Sequence, residues 1–308
     1  MRTADLTFSD KNLPPPKADV VHIYEPLFRY IYIKLLTNNS LDCQCFCCFL
    51  KIWVRGQMVQ KDKVAIITGG ARGIGRGCAL RLAEKGCAIV LVDILSSEMA
   101  ATKKEIEDLG TDCLVFNADV ADHQKAKNIA TNVKKTFGRI DILVNNAGKS
   151  MPIGILEIKE EEWDRTIDIN LKSCFNWIQA VAPFMIDSGE GRIVSMSSLN
   201  AHSGGVTAAV SRFAYAAAKA GIIGMTRALA KELGPKILIN AICPGLIKTE
   251  IAKNPVIANR EAELIKGIAS ERVGTPSDVA ALVEFLTLSE PCFVTGQDII
   301  VDGFQWNR

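Results

Sequence analysis

The sequence predicts one doubly wound α/β domain with a seven-stranded parallel sheet, preceded by an irregular N-terminal extension. From residue 61 onward, short apolar runs of β type alternate with longer helical stretches. The short runs are apolar at every position rather than at every second one, which is typical of strands that helices cover on both faces. Residues 1–60 lack this alternation. We therefore assign residues 1–60 to the extension and residues 61–308 to the domain.

Seven apolar runs are predicted as strands, and strands that alternate with helices pair in parallel because each crossover returns the chain to the same edge of the sheet. The predicted strands are Val64–Thr68, Ala88–Asp93, Cys113–Phe116, Ile142–Asn145, Arg192–Ser195, Ile237–Ala241 and Ile299–Val301. Helices are predicted over Gly75–Lys85, Ala121–Phe137, Trp163–Met185, Ala214–Leu233 and Ser277–Leu286.

The extension contains Pro14-Pro15-Pro16, an aromatic stretch from Val20 to Leu36 and a cluster of four cysteines, Cys43, Cys45, Cys47 and Cys48. Charged residues and a proline interrupt the aromatic stretch, so it does not supply the roughly 20 apolar residues of a membrane span. It also lacks the pattern of a secretory signal. Thiolates suit zinc, but no second pair of ligands follows the cluster, so no metal site is assigned to it. We expect the extension to be disordered or to lie upstream of the native start, for which Met58 is the candidate.

The composition is that of an ordinary globular protein, with 48% apolar residues, 23% charged residues and a formal net charge of +2. No long basic run is present that could follow a phosphate backbone, so nucleic acid is not an expected partner. Six further cysteines stand singly in apolar segments, where thiols behave as small core residues. They are Cys78, Cys87, Cys113, Cys174, Cys243 and Cys292. This usage favours a reducing, cytoplasmic compartment.

A glycine-rich turn, Thr68-Gly69-Gly70-Ala71-Arg72-Gly73-Ile74-Gly75, connects the first predicted strand to a helix. Glycines at such a turn let the backbone approach a pyrophosphate, whose negative charge is attracted to the N-terminus of the helix. Asp93 ends the second strand, near the offset of about 20 residues at which an acid binds the ribose of a dinucleotide. Its carboxylate repels a 2′-phosphate, whereas Arg72 attracts one. We expect NAD to be the preferred cofactor, with NADP as the alternative.

Four further motifs follow in order: Asn145-Asn146-Ala147-Gly148, Ser197-Ser198, Tyr215-Ala216-Ala217-Ala218-Lys219 and Pro244-Gly245. Together with the glycine turn, they resemble the short-chain dehydrogenase/reductase family, in particular its polyol dehydrogenases and 3-oxoacyl-acyl-carrier-protein reductases. The resemblance implies a Rossmann-type fold and an NAD(P)-dependent oxidoreductase that interconverts a secondary alcohol and a carbonyl. It also implies a homo-oligomer, either a tetramer or a dimer.

The resemblance assigns four catalytic roles. Tyr215 is the acid/base, Lys219 is its activator, Ser198 contacts the substrate oxygen and Asn170 completes a proton relay. The residues expected to bind the cofactor are Thr68, Gly69, Arg72, Gly73, Ile74, Gly75, Asp93, Asp119, Val120, Asn146, Ala147, Gly148, Tyr215, Lys219, Pro244, Gly245, Ile247 and Thr249. No metal ion is expected.

Alcohol oxidation needs a group that exchanges a proton with the substrate oxygen while hydride moves to or from the carbon. A free tyrosine has a pKa of about 10, too high for a base near neutral pH. Lys219 follows Tyr215 by one helical turn, which places its ammonium beside the phenol. A cation about 4 Å away contributes roughly 4 kcal/mol at an effective dielectric of about 20, sufficient to stabilise a phenolate.

Ser198 follows a predicted strand and can donate a hydrogen bond to a developing alkoxide, and the family pattern favours it over Ser197. Asn170 lies inside a predicted helix, which is costly for an asparagine unless its amide has a partner. A local distortion that binds water is one interpretation, and an ordinary solvated asparagine is the other. His202 is a candidate substrate contact rather than a second proton carrier.

Two features depart from the family pattern. The segment between Ser198 and Tyr215 is longer than in many relatives, and its added loop, residues 202–213, borders the expected substrate entrance. Relatives often carry a second glycine after Gly303, where this chain has Phe304. We expect the loop to shape substrate specificity, and the C-terminal contact to differ from that of relatives.

Three functions remain open. The first is a dehydrogenase of a small polyol, sugar or related hydroxy metabolite, and the second is a 3-oxoacyl-acyl-carrier-protein reductase. Asp93 and the near-neutral charge favour the first, since a reductase of that kind would use NADPH and a basic docking patch for its acidic partner. The third is a non-catalytic dinucleotide-binding module, which would tolerate the loss of Tyr215 or Lys219, yet both are present.

Overall fold

The computed structural model describes residues 63–205, 211–249, 263 and 265–305. The predicted extension and its four cysteines lie outside these residues. The described strands are β1 (Val64–Thr68), β2 (Ala88–Asp93), β3 (Cys113–Asn117), β4 (Ile142–Asn145), β5 (Gly191–Met196), β6 (Ile237–Pro244) and β7 (Asp298–Val301). They form one sheet in the order β3-β2-β1-β4-β5-β6-β7, and every pair is parallel. The predicted doubly wound α/β fold and its seven-stranded sheet are confirmed.

The described helices are α1 (Gly73–Glu84), α2 (Ser96–Asp108), α3 (His123–Phe137), α4 (Glu160–Ile167), α5 (Ser173–Ser188), α6 (Asn200–Ser203), α7 (Phe213–Leu233) and α8 (Pro276–Leu288). A π-helical turn, Asp168–Lys172, separates α4 from α5. The uninterrupted helix predicted over Trp163–Met185 is therefore wrong at this turn. None of these helices is both long and apolar enough to cross a membrane.

Helices cover both faces of the sheet, so the side chains of each central strand alternate between two cores. Ala65 and Ile67 pack in the core that includes α1, α2 and α8. Val64 and Ile66 pack in the core that includes α3 and α5. All four residues are buried. The continuous apolar character of β1 follows from this burial on both faces.

The strand order reverses beside β1, which pairs with β2 on one side and with β4 on the other. The connections after β1 and β4 therefore leave the sheet on opposite faces. In open α/β sheets this reversal creates a crevice at the carboxyl ends of the strands, where ligands bind.

Candidate active site

A cavity of about 570 Å³ lies at the carboxyl edge of the sheet, where the residues that follow β1, β2, β4, β5 and β6 form its wall. Most of the predicted site residues line it. These are Gly69, Arg72, Gly73, Ile74, Asp93, Asp119, Val120, Asn146, Ala147, Gly148, Ser198, Tyr215, Lys219, Pro244, Gly245, Ile247 and Thr249. The other three, Thr68, Gly75 and Asn170, do not line the cavity. The side chains of Thr68 and Asn170 form hydrogen bonds with residues that do.

The glycine turn after β1 is closed around the side chain of Asn146. Its Nδ2 donates to the carbonyl oxygens of Thr68, at 3.1 Å, and Gly69, at 2.9 Å. Gly69 has a positive φ of 64°. A Cβ on Gly75 would clash with the Gly69 carbonyl oxygen and lie 2.5 Å from Asn146 Nδ2. The turn therefore needs glycine at both positions, and no side chain stands between its backbone and the cavity there.

Thr68 connects β1 to the segment after β4. Its Oγ1 accepts hydrogen bonds from the backbone N–H groups of Asn146, at 3.0 Å, and Ala147, at 3.2 Å. The hydroxyl is buried with the rest of the side chain. Thr68 thus positions the glycine turn against the Asn146 segment without itself facing the cavity.

The carboxylate of Asp93 is fixed at the edge of the cavity by three backbone N–H groups. Oδ2 accepts from Ala71, at 3.1 Å, while Oδ1 accepts from Ile94, at 2.7 Å, and Leu95, at 3.2 Å. Arg72 precedes α1, is exposed and lines the same cavity. A rigidly held negative charge and an exposed positive charge therefore share this end of the cavity.

Asp119 occupies the adjoining wall. Its Oδ1 accepts from the N–H of Ala121 at 2.9 Å, and its Oδ2 pairs with the guanidinium of Arg165. Burial alone raises the pKa of Asp119, but the hydrogen bonds from Ala121 and Arg165 outweigh burial and hold the pKa below its ordinary value. Asp119 is therefore a carboxylate at neutral pH.

Asn170 lies in the π-helical turn and is fully buried. Its Nδ2 donates to the carbonyl oxygens of Thr166 and Lys149, both at 3.0 Å, and its Oδ1 accepts from the N–H of Lys149 at 3.1 Å. The prediction of a local distortion at this asparagine is confirmed, and the solvated alternative is wrong. Asn170 thereby holds the loop after Gly148 at the cavity floor.

Lys219 and Tyr215 lie one turn apart on α7. The side chain of Lys219 is buried, and its Nζ donates to the carbonyl oxygen of Met196 at 2.7 Å. Nζ also lies 5.5 Å from the centroid of the Tyr215 ring. A Cβ on Gly148 would lie 2.9 Å from Asn170 Oδ1 and 3.4 Å from Lys219 Nζ. Because Gly148 has no side chain, the amide of Asn170 and the ammonium of Lys219 can both lie close to its backbone.

The two adjacent serines have different partners. Ser197 is buried, and its Oγ donates to the carbonyl oxygen of Lys219 at 2.7 Å, which ties α7 to the end of β5. Ser198 lines the cavity, and its Oγ accepts from the N–H of Asn200 at 3.2 Å. Because that bond uses only a lone pair, the Ser198 hydroxyl keeps its proton for a ligand oxygen. The geometry thus favours Ser198 over Ser197 for contact with a substrate.

Comparisons with known proteins agree on the family. A family model described as "Enoyl-(Acyl carrier protein) reductase" matches residues 69–303. The chain is 39% identical over 244 residues to the 3-oxoacyl-[acyl-carrier-protein] reductase FabG of Thermotoga maritima, a match that covers 79% of this chain and 97% of that protein. It is also 39% identical over 251 residues to the oxidoreductase UcpA of Salmonella typhimurium, covering 78% of this chain and 93% of UcpA.

Solved structures give the same result. A short-chain type dehydrogenase/reductase from Mycobacterium marinum has a TM-score of 0.75 at 30% identity, covering 81% of this chain and 97% of its own. A short-chain dehydrogenase/reductase from Brucella melitensis, described as a glucose/ribitol dehydrogenase, has a TM-score of 0.74 at 30% identity and covers 81% and 99%. This chain belongs to the short-chain dehydrogenase/reductase family. It is an oxidoreductase that acts on CH–OH donors, and the family uses NAD(P).

The names of these relatives differ in substrate, so they fix the family and leave the substrate open. Within this short-chain dehydrogenase/reductase, the loop predicted to shape specificity and the segment after Thr249 are only partly described. Residues 206–210, 250–262 and 264 lie outside the described part.

Sequence reasoning missed several residues of the cavity wall. Lys149, Ser150, Asn200 and Gln305 all line it, although no family motif contains them. Gln305 also accepts a hydrogen bond at its Oε1 from the N–H of Leu246, at 2.9 Å. Phe304, which stands where relatives often have a second glycine, has a positive φ of 63°. Phe304 therefore adopts the left-handed conformation that favours glycine, directly before Gln305.

His202, a candidate substrate contact, does not line the described wall of the cavity. Its Nε2 instead lies 3.2 Å from Asp298 Oδ2 and 3.7 Å from Cys243 Sγ. The substrate contact of His202 therefore stays a prediction. Within α6, its imidazole is directed toward the end of β6 and the start of β7.

Proposed function

We propose that this enzyme is an NAD-linked dehydrogenase that interconverts a secondary alcohol and a carbonyl on a small polyol, sugar or related hydroxy metabolite. The observation that carries the cofactor choice is Asp93, whose carboxylate is held at the cavity edge by three N–H donors. A fixed carboxylate accepts hydrogen bonds from ribose hydroxyls and repels a 2′-phosphate. Arg72 is the competing charge, and its exposure leaves it the less constrained of the two.

The residues present fit a dinucleotide. The glycine turn is packed so closely that Cβ atoms on Gly69 and Gly75 would clash with Ala147 and with the Gly69 carbonyl oxygen, and it leads into the N-terminus of α1. Backbone N–H groups and the helix dipole at that position suit a pyrophosphate. Asp119 and Asn146, which line the cavity beside the glycine turn, would complete the binding residues. When bound, the nicotinamide supplies the group that accepts or donates hydride.

Residues of the chain itself then transfer the proton and stabilise the charge that forms. Tyr215 takes the proton from the alcohol oxygen during oxidation and returns it during reduction. Lys219 stabilises the phenolate from its buried position, and Ser198 donates a hydrogen bond to the substrate oxygen. Asn170 fixes the backbone at Lys149 beside the ammonium, where a proton relay to solvent would begin.

A second candidate is 3-oxoacyl-acyl-carrier-protein reductase. It is favoured by the 39% identity to FabG of Thermotoga maritima over 97% of that protein. The same catalytic residues would serve that reaction in the direction of reduction. The two candidates differ in cofactor and in the size of the substrate, so kinetics separate them.

The test is a panel of polyols and sugars with NAD and NADP, and of acetoacetyl thioesters with NADH and NADPH, followed by nicotinamide absorbance. We expect NAD-dependent oxidation of at least one hydroxy metabolite, with turnover about 10²- to 10⁴-fold lower in Tyr215→Phe. Faster reduction of the thioester with NADPH would replace the first candidate by the second. Tight dinucleotide binding without turnover of any substrate would favour the non-catalytic module.

We further propose a cytoplasmic homo-oligomer. The six cysteines of the described residues are all free thiols, as a reducing compartment requires. Large apolar side chains are exposed on helices and loops of the domain, among them Phe175, Phe285 and Phe293. Contact between subunits would remove such side chains from water. Light scattering coupled to gel filtration would give the number of chains per particle.

A further inference from the structure

Three side chains that can bind a metal ion meet beside the cavity and have no part in the proposed reaction. They are His202 on α6, Cys243 on β6 and Asp298 at the start of β7. Their ligand atoms lie within 4.8 Å of one another, and no other group of this kind occurs among the described residues. Cys243 is fully buried, while the side chains of His202 and Asp298 are 14% and 13% exposed.

Backbone hydrogen bonds build this cluster before any ion is considered. The chain beyond β5 continues along β6, because Ser197 N donates to Ile242 O at 2.8 Å and Leu199 N donates to Pro244 O at 2.9 Å. α6 therefore starts directly over the end of β6. Asp298 is the partner of Ala241 in the β6–β7 ladder, which brings its strand alongside Cys243.

The two separations from His202 agree with one coordination sphere. Bonds of about 2.0 to 2.3 Å to nitrogen, oxygen and sulfur place the ligands of a tetrahedral zinc ion about 3.3 to 3.6 Å apart. The observed separations from His202 Nε2 are 3.2 Å to Asp298 Oδ2 and 3.7 Å to Cys243 Sγ. A set of imidazole, thiolate and one carboxylate suits zinc or cobalt rather than magnesium or calcium.

The surroundings support the same assignment. Arg227 pairs with Asp298 Oδ1 at 2.7 Å, so that Oδ2 is directed at His202. Residues around a metal site commonly orient its ligands by hydrogen bonds of this kind. A redox switch fits less well, because burial raises the pKa of the Cys243 thiol to about 11 and reactive cysteines are thiolates. An entering metal ion would bind the thiolate and release its proton to solvent.

We propose that His202, Cys243 and Asp298 form a binding site for a zinc-class divalent ion. The ion joins α6 to the end of β6 and the start of β7. Asn200, the first residue of α6, donates its N–H to Ser198 Oγ at 3.2 Å. The site thus stabilises the segment that presents Ser198 to the cavity, and its role is positional rather than catalytic.

The test uses the full chain, and the same chain with Cys43, Cys45, Cys47 and Cys48 replaced by serine so that these thiols cannot contribute. Each protein is freed of metal with a chelator and titrated with Co²⁺, which zinc then displaces. We expect one equivalent of Co²⁺ in the serine background, with a thiolate-to-metal absorption band in the near ultraviolet. Zinc should also raise the melting temperature.

Variants decide which residues hold the ion. Cys243→Ser should remove the absorption band, and His202→Ala or Asp298→Asn should weaken zinc binding at least tenfold. His123→Ala and Cys292→Ser, which change a histidine and a cysteine elsewhere, should bind normally. Circular dichroism establishes whether each variant is folded. If Cys243→Ser does not fold, the isosteric variant Asp298→Asn is used to test the site instead. Failure of the parent to bind one equivalent, or undiminished binding by folded Asp298→Asn, would overturn the proposal.

Discussion

On the side of β1 and β2, the wall of the cavity is mainly backbone, shaped by the glycine turn and by the N–H groups that hold Asp93. On the side of β5, β6 and α7, it is mainly side chains, with Ser198, Tyr215 and Lys219 brought together from separate segments. The first region is specified by one short run of residues. The second exists only after α7 packs against the end of β5. The comparison indicates that affinity for the cofactor and proton transfer are separable, except at Lys219.

Lys219→Ala is expected to change both quantities at once, because we propose that this side chain serves cofactor binding and proton transfer. The variant loses the buried ammonium beside the Tyr215 ring and the hydrogen bond to Met196 O. We expect turnover to fall by at least about 100-fold, within the range of general acid/base catalysis. Cofactor affinity should fall as well, as isothermal titration would measure. Lys231→Ala, an exposed lysine on the same helix, is the control and should leave both quantities unchanged.

A methyl group at Gly75 tests the backbone side of the cavity. The added Cβ would clash with the Gly69 carbonyl oxygen and crowd Asn146 Nδ2, so the turn must open. We expect the dissociation constant of the cofactor to rise at least about tenfold, equivalent to about 1.4 kcal/mol. Gly224→Ala provides the comparison, because its methyl group would meet nothing within 4 Å on α7. That variant should bind normally, and an equal loss in both would contradict a specific role for the turn.

Replacement of Asp93 should change the choice of cofactor more than the rate. Asp93→Asn keeps oxygen and loses charge, so the turn can keep part of its hydrogen bonding while the repulsion of a 2′-phosphate is removed. We expect kcat/KM with NADP relative to NAD to rise by about tenfold, or about 1.4 kcal/mol. Arg72→Ala should move the ratio in the opposite direction. A wild-type preference for NADP by tenfold or more would show that Arg72 dominates.

The smallest expected effect is on the stability of the fold rather than on the cavity. Asp278 caps α8: it pairs with Arg272 and accepts from Thr275 N at 2.7 Å. The Arg272 guanidinium is the main cause that holds the pKa of Asp278 well below its ordinary value, with the hydrogen bonds from Thr275 adding to it. A depressed pKa stabilises the fold above the unfolded-state value of about 3.9, and that stability is lost as the pH falls through the folded-state value.

We therefore expect Asp278→Asn to lower the free energy of unfolding by about 1 kcal/mol at pH 7, a typical capping contribution. The difference from the wild type should shrink below about pH 4, where the unfolded state takes up the proton. Urea unfolding at both pH values measures it. Asp164→Asn, an exposed acid on α4, should show no such difference. A difference that grew on acidification would contradict the sign of this linkage.

The five inner strands could be predicted from the sequence because they are buried on both faces and their apolar runs are continuous. The edge strands β3 and β7 are only partly buried but keep short apolar runs that indicated them. α2 could not be predicted, since it buries only Met99, Thr102 and Ile106 and its apolar pattern is weak. The glycine turn and the pair Tyr215 and Lys219 were found because contiguous motifs carry them. The direction of His202 depends on contacts between segments far apart in the chain, which spacing along the sequence does not encode. Asn170 stands between these cases, since its cost inside a helix signalled the π-helical turn.

In the proposed mechanism Tyr215 transfers the proton, while its hydroxyl contributes little to holding the cofactor. Tyr215→Phe separates these two functions, because the change removes one oxygen and keeps the ring beside Lys219 Nζ. Turnover and the dissociation constant of NAD should be measured on the same preparation. We expect turnover to fall by about 10²- to 10⁴-fold and the dissociation constant to stay within about twofold. A variant that keeps more than about a tenth of the wild-type turnover would contradict the assigned role of Tyr215.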